Sequence, residues 1–286
     1  MTSAAVVQLF FNPASGSYSP RRLKALTHAL EAAGAEVILT TSVDEVPSIA
    51  PDATHICIAA GDGTVRHVAS ALARCGRPLP IAIYPSGTVN LLAMEGAYST
   101  NPATFADHLL KGDSIRHHHP VSIGEDYFFA CAGAGPDSVT IARLSSRLKR
   151  LIGRLAYLAA FIGVLRDWPR PRIMLEANGK AVACEAFYVA KGRYFAGRWS
   201  FAPQARVSDG LLHVVALKSA RRRDYAAFVW TMVRGGDPGR MTGVKSFTCT
   251  RLHASADSAV PFQSDGDVVG ALPVTLTLGD TPLIFR

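Results

Sequence analysis

The stretch from Thr54 to Cys75, THICIAAGDGTVRHVASALARC, constrains this chain more than any other. Residues 54–60 are short, apolar and β-branched, the pattern of a buried strand; from Thr64 the spacing turns helical, with Val65, Val68, Ala69 and Leu72 on one face. Gly61-Asp62-Gly63-Thr64 makes the turn between them. Its glycines permit unusual dihedrals and close approach of a ligand, and Thr64 is the expected N-cap of the helix. Free N–H groups and the positive end of a helix dipole would then face whatever sits over the turn, which suits a phosphate. An Asp-Gly pair can equally be no more than a tight turn. The neighbouring segments have to decide.

They extend the pattern. Ala4 to Phe11 is an expected strand, followed by Asn12-Pro13-Ala14-Ser15-Gly16 and a helix from about Pro20 to Ala33. Val37 to Leu39 and Leu79 to Tyr84 are further strands, and Pro85-Ser86-Gly87-Thr88 leads through Val89 and Asn90 into another helix. Alternating strands and helices imply a parallel sheet wound on both faces, with ligands at the carboxyl ends of its strands. Three loops, at 12–16, 61–64 and 85–88, share that edge.

With 286 residues, 49% of them hydrophobic, the chain can bury a large core. Its formal charge of +8 favours an acidic partner such as a nucleotide or an anionic membrane surface. Nucleic acid ranks lowest, because aromatic residues hardly interleave the basic segments. Five scattered cysteines with no CxxC pair argue against a zinc site or a disulfide framework and fit a reducing cytosol. No signal peptide is expected, and the run Leu155 to Leu165 is too short to span a bilayer.

From Pro120 the pattern becomes β-rich. Expected strands are Val121 to Ile123, Tyr127 to Cys131, Arg172 to Glu176, Val182 to Val189, Leu211 to Leu217, Ser246 to His253 and Val274 to Leu278. Helices are expected at Ser138 to Leu148, Ile152 to Leu165 and Arg223 to Val233. The tract His117-His118-His119 is a solvated basic linker in preference to a metal site, since consecutive residues cannot all face one ion. Arg143, Arg147, Lys149, Arg150 and Arg154 form a cationic face beside an apolar run, which could rest on an anionic bilayer or simply be solvated. Ser208-Asp209-Gly210 and Ser264-Asp265-Gly266-Asp267 are two more Asp-Gly turns, the last able to offer a general base.

Taken together, NPASG, GDGT, PSGTVN, AGAGPD at Ala132 to Asp137, KGRYFAG at Lys191 to Gly197, SDGLLHV and QSDGD resemble, in order and spacing, the diacylglycerol kinase catalytic-domain family. That family includes soluble bacterial lipid kinases and the sphingosine and ceramide kinases. The resemblance implies an NAD kinase-like fold: a doubly wound α/β nucleotide-binding domain at 1–118, a β-sandwich lipid-substrate domain at 119–278, and a C-terminal segment 279–286 returning to the first. ATP is expected in the cleft, near Asn12, Pro13, Ser15, Gly16, one of Thr40 or Thr41, Gly61, Asp62, Gly63, Thr64, Val65, Arg66, His67, Gly87, Thr88 and Asn90.

By the same resemblance Asp267 takes the proton of the lipid hydroxyl. Asp209, with the carbonyls of Arg206 and Leu211, looks like the family's structural magnesium site, and Asp62, Asp137 and Asp265 are carboxylates that could hold catalytic Mg2+. The implied reaction is ATP- and magnesium-dependent phosphorylation of diacylglycerol, a sphingoid base or ceramide. The implied setting is the cytoplasm, peripherally on the inner face of the membrane, with a homodimer among the forms allowed. A Walker lysine motif is absent, so positioning and a metal would carry the phosphate charge.

The chain departs from the family at Ala60, Arg66-His67, Asn90-Leu91 and Asp267, where glycine, Asn-Glu, Asn-Asp and glutamate are usual. The similar fold of the NAD kinases leaves a kinase for a soluble substrate as one alternative, and Ala60, Arg66-His67 and Asp267 motivate another, a catalytically silent lipid or nucleotide sensor.

Overall fold

Strand β1 (Ala5–Phe11) opens the first sheet, where it lies second from one edge with a parallel neighbour on each side. The computed structural model describes residues 4–15, 18–42, 47–87, 89–143, 163–164 and 166–286. They divide into two units, Met1–Pro120 with Gly279–Arg286, and Val121–Leu278.

In the first unit β1 is followed by α1 (Pro20–Ala32), β2 (Ala35–Thr41), β3 (His55–Ala59), α2 (Asp62–Cys75), β4 (Pro80–Ile83), α3 (Leu91–Glu95), α4 (Pro102–Lys111) and β5 (Arg116–His118). The sheet runs β2-β1-β3-β4-β18-β5, where β18 is Leu283–Phe285. All pairs are parallel except β18 with β5. The chain end therefore completes a sheet that its beginning started. Apolar alternation and local caps explain the helices: Ser19 and Asn101 accept first-turn N–H groups, each followed by proline at the first helical position. Leu26, Leu30, Phe105 and Leu109 pack with Val7, Leu9, Cys57 and Tyr84, all buried. Each such side chain contributes about 1.5–3 kcal/mol.

Two expectations are corrected here. Helix α2 starts at Asp62, not Thr64; Gly61 in an extended conformation (φ −84°, ψ 176°) is its N-cap with no side-chain bond, and Thr64 is buried in the first turn. A glycine leaves the helix end open to a ligand, where a threonine side chain would have filled it. The histidine tract is not a linker. His117 and His118 pair with β18, and buried His118 packs its ring 5.3 Å from that of Phe285.

The second unit is a sandwich of two antiparallel six-stranded sheets. One runs β10-β9-β14-β17-β6-β7 and the other β13-β12-β11-β8-β15-β16. The strands are β6 (Val121–Ile123), β7 (Asp126–Phe128), β8 (Cys131–Ala134), β9 (Ile173–Ala177), β10 (Lys180–Cys184), β11 (Ala186–Ala190), β12 (Leu212–Leu217), β13 (Val244–Cys249), β14 (Arg251–Ala256), β15 (Pro261–Ser264), β16 (Asp267–Ala271) and β17 (Val274–Leu278). Helices α5 (Pro136–Arg143) and α6 (Arg222–Val233) interrupt them. Three runs expected as single strands, 127–131, 182–189 and 246–253, each break where the chain passes from one sheet to the other. Both sides of each corner carry apolar residues, so hydrophobicity continues through the break. The expected helix at 152–165 and the basic residues Arg147, Lys149, Arg150 and Arg154 lie outside the described residues, Gly163 and Val164 excepted. Among the described residues no helix is long and apolar enough to cross a membrane.

Candidate functional site

In the first unit the chain leaves β1 toward β2 on one side and resumes at β3 on the other, so β1 and β3 bracket the switch point of the sheet. Ligands of open α/β sheets bind outside the carboxyl ends of such strands. A crevice lies there, lined by Phe11, Asn12, Ser15, Tyr18, Arg22, Ala60, Tyr84 and Ser86 among others. Asn12 shapes the first loop by accepting the Ala14 N–H at 2.9 Å. The second and third loops meet backbone to backbone: a Cβ on Gly87 would stand 2.4 Å from the Gly61 Cα and 2.6 Å from the Asn90 Oδ1. Any side chain at 87 would force these loops apart.

Several expected ligand residues have other tasks. Asn90, at φ +58°, takes the Gly87 N–H at 2.7 Å and returns its own amide to the Gly87 carbonyl at 2.7 Å, closing the third loop. Thr40 accepts from the amide of buried Gln8 at 3.0 Å, while Thr41, beside Phe11 at the strand ends, is exposed. Val65 is 1% exposed and belongs to the core. Asp62, Gly63 and Arg66 are half-buried at the start of α2, and His67 is exposed. Pro13 and Ser15 sit in the turn after β1. Gly16 and Thr88 lie outside the described residues. Sequence reasoning missed Tyr18, Arg22 and Tyr84. Arg22 donates to the Pro85 carbonyl at 3.0 Å and stands 5.5 Å from the Tyr84 ring centroid. Its only sequence signal is its place in the first turn of the helix after NPASG.

In the second unit Asp265 and Gly266, at φ +47° and +88°, form the tip of the β15–β16 hairpin. The Asp265 carboxylate accepts the N–H groups of Phe129, Ala130 and Cys131 at 2.8, 2.9 and 3.0 Å. With both oxygens taken by amides it fastens the hairpin and is not disposed to ligate magnesium. Asp267, exposed, opens β16 opposite Ser264.

Asp137 is buried in the interior of its unit. It is 4% exposed and accepts from Tyr188 Oη at 2.8 Å, and Tyr188 is hydrogen-bonded in turn to Tyr225. Burial pushes its carboxyl up to about 6, against hydrogen bonds from Tyr188, the Ser138 backbone and Gln263 that pull it down. Since the folded value lies above the unfolded one of about 3.9, the stability is fully present below pH ~4 and lost as pH rises through about 6, a change of about 3 kcal/mol. Asp137→Asn, which keeps an acceptor for Tyr188, should therefore gain about that much on wild type between pH 4 and 7. Urea unfolding at both pH values checks this; a pH-independent difference would show Asp137 to be ionised throughout.

The SDGL turn also departs from expectation. Asp209 Oδ2 accepts the Arg206 N–H at 3.2 Å and meets His213 Nε2 at 2.6 Å, while Oδ1 accepts the Leu211 N–H at 3.1 Å. Lys191, fully buried, places Nζ 3.8 Å from Oδ1 and donates to the Val207 carbonyl at 2.8 Å. Burial opposes ionisation of Asp209, but His213, the Leu211 N–H and the Lys191 ammonium outweigh it and hold the carboxyl below its usual range. Arg206 and Leu211 thus present N–H groups to the carboxylate, and the Arg206 carbonyl accepts from the Asp209 N–H at 3.2 Å. This donor set does not fit the expected structural magnesium, because both carboxylate oxygens are already held by N–H groups and the Lys191 ammonium stands beside them. Among the described residues no group of three or more His, Cys, Asp or Glu forms a metal cluster.

Comparison with known proteins agrees with this architecture. The family described as the diacylglycerol kinase catalytic domain matches residues 6–120, and the YegS C-terminal NAD kinase beta sandwich-like domain matches residues 130–283. A diacylglycerol kinase of Bacillus subtilis (strain 168) is 26% identical over 285 residues, covering 93% of this chain and 91% of that protein. A Pseudomonas aeruginosa protein named "Probable lipid kinase YegS-like" is 33% identical over 188 residues, 62% of this chain and 58% of that one. Among solved structures, a diacylglycerol kinase from Bacillus anthracis str. Sterne superposes with a TM-score of 0.72 at 17% identity, over 100% of this chain and 97% of that one. Yeast NADH kinase complexed with NADH gives 0.53 at 10% identity, over 99% and 84%, and shows the same fold. With one family match on each unit, in chain order, the chain belongs to the diacylglycerol kinase catalytic-domain family of lipid kinases and carries a YegS C-terminal NAD kinase beta sandwich-like domain.

Proposed function

We propose that this chain transfers the γ-phosphoryl group of ATP, with Mg2+, to a hydroxyl of diacylglycerol or a related lipid alcohol such as a sphingoid base or ceramide. The observation that carries the reading is the pair of family matches, one on the nucleotide-type unit and one on the sandwich. The crevice at the β1 and β3 ends supports it. Its loops offer backbone N–H groups and the open N-terminus of α2 to the phosphates, and the side chains of Tyr18, Arg22 and Tyr84 border it. Magnesium, when bound, would neutralise phosphate charge. Asp62 at the first position of α2 fits it, since this ion is commonly held by one or two carboxylates and the substrate's own phosphates.

Asp267 accepts the proton of the acceptor hydroxyl as that oxygen attacks the γ-phosphorus. It stands on a hairpin made rigid by the Asp265 clasp and by the Gly266 N–H bonded to Gln263 Oε1 at 3.2 Å. The protein works peripherally at the cytoplasmic face of an anionic membrane; its net charge of +8 and the exposed Trp199, Trp230 and Val233 support this. Incubation with γ-labelled ATP, magnesium and a total lipid extract should give a labelled lipid band. Label appearing only in water-soluble products would favour a soluble acceptor, the reading that the fold likeness to NADH kinase suggests. Nucleotide binding with no transfer at all would leave a sensor.

A further inference from the structure

Away from the candidate site, the second unit has a concavity of about 460 Å³ lined by Arg166, Trp168, Arg170, Ala220, Arg221 and Arg222. Four of its six residues are arginines. Arg222 Nη2 donates to the Arg166 carbonyl at 3.0 Å, so two distant segments are tied together with their like charges on one wall. The negative groups nearby are few. Glu185 approaches Arg170 only to 4.0 Å and spends its other oxygen on the Ala220 N–H at 2.8 Å. Asp224 takes the Ser219 hydroxyl at 2.7 Å and stands 3.5 Å from Arg223, and Asp167 is exposed beside Trp168. Among the described residues no carboxylate pairs with Arg166, Arg221 or Arg222.

Two independent observations say what this charge is for. Trp168 is 8% exposed, and its indole N–H has no acceptor among the described residues. A buried donor left without a partner costs about 1–3 kcal/mol, which an anion in the concavity would recover. The same wall carries the N-terminus of α6, a twelve-residue helix whose N-cap is Arg221, with no side-chain oxygen capping its first turn. Open first-turn amides, the positive end of a helix dipole, forked guanidinium donors and an indole N–H together match the oxygens of a phosphate.

We propose that this pocket binds a phosphate group, held by Arg166, Arg170, Arg221, Arg222, the start of α6 and the Trp168 indole. The group belongs either to a phospholipid headgroup or to a free phosphate. The inference does not depend on the kinase reading, because none of these residues is in the proposed catalytic machinery.

The test uses the full chain with indole-¹⁵N tryptophan, which has three such signals, that of Trp168 being assigned with Trp168→Phe. Titration with inorganic phosphate at constant ionic strength should shift the Trp168 signal saturably and leave Trp199 and Trp230 in place. The double variant Arg221→Gln, Arg222→Gln should bind at least tenfold more weakly, and Arg170→Gln, on the opposite segment, should also weaken the shift. Absence of a saturable shift, or an unchanged titration in both variants, overturns the proposal. Co-sedimentation with phosphatidylcholine vesicles, with and without phosphatidic acid, separates the sources. Vesicle binding that the double variant loses and inorganic phosphate competes away assigns a lipid headgroup; a Trp168 shift with vesicle binding equal in both proteins assigns the free anion.

Discussion

Replacing Asp267 with alanine is expected to lower the turnover number by 10²- to 10⁴-fold while leaving the melting temperature within about 2 °C of wild type. The size follows from removing a general base, an effect of about 3–5 kcal/mol on the barrier. The unchanged stability follows from position: Asp267 is exposed at the first residue of β16, and its side chain is no part of the buried core. Initial rates of lipid phosphorylation and a thermal melt on the same preparation check both halves. Asp267→Glu supplies the residue usual in the family with one more methylene, and should keep measurable turnover where alanine does not. Activity of the alanine variant within tenfold of wild type would move the base elsewhere.

Two residues earlier the opposite outcome is expected. Asp265→Ala strands the N–H groups of Phe129, Ala130 and Cys131, which lie beside the buried start of β8, and puts alanine where φ is +47°. Each orphaned donor costs about 1–3 kcal/mol, less where water reaches it, and the left-handed conformation costs alanine about 1–2 kcal/mol. A loss of about 4 kcal/mol, or about 10 °C in melting temperature, is the expected sum. Asn tolerates the left-handed region and keeps one side-chain oxygen, so Asp265→Asn should recover roughly half of the loss. A variant Asp265→Ala as stable as wild type would show that the clasp is not what anchors the hairpin. The pair separates two carboxylates of one turn, one that holds the turn and one that the turn presents.

The Asp-Gly signals illustrate how far local pattern reaches. GDGT, SDGL and SDGD look alike as text, yet only the last two make tight turns, while Asp62-Gly63 already form the first turn of α2. What the carboxylates do is set by atoms far along the chain. Asp209 answers to Lys191, 18 residues back, as well as to neighbouring His213, and Asp265 answers to the amides of 129–131. Lys191 carried a weak signal, a lone cation closing the apolar run AFYVAK, but nothing local shows that it would stand near Asp209. The buried Asp137 shows the same limit. Its tyrosine partner is 51 residues away, and only burial turns it from an ordinary acid into one titrating at about 6.

The sequence by itself determined the order of strands and helices in the first unit from β1 as far as α3, because short apolar strands, helical spacing and glycine or proline punctuation are local properties with local causes. Its ordered motifs also carried the family. Where strands end was decided by tertiary structure alone: Phe129-Ala130, Glu185 and Thr250 are corners at which the chain changes sheets, and apolar residues continue through each because both sheets bury them. Tertiary structure also made the histidine tract a strand, since His117 and His118 find their hydrogen-bonding partner at residues 283–284. Periodicity reports which face of a segment is buried. Which other segment buries it depends on contacts between distant residues, and those form only when the whole chain has folded.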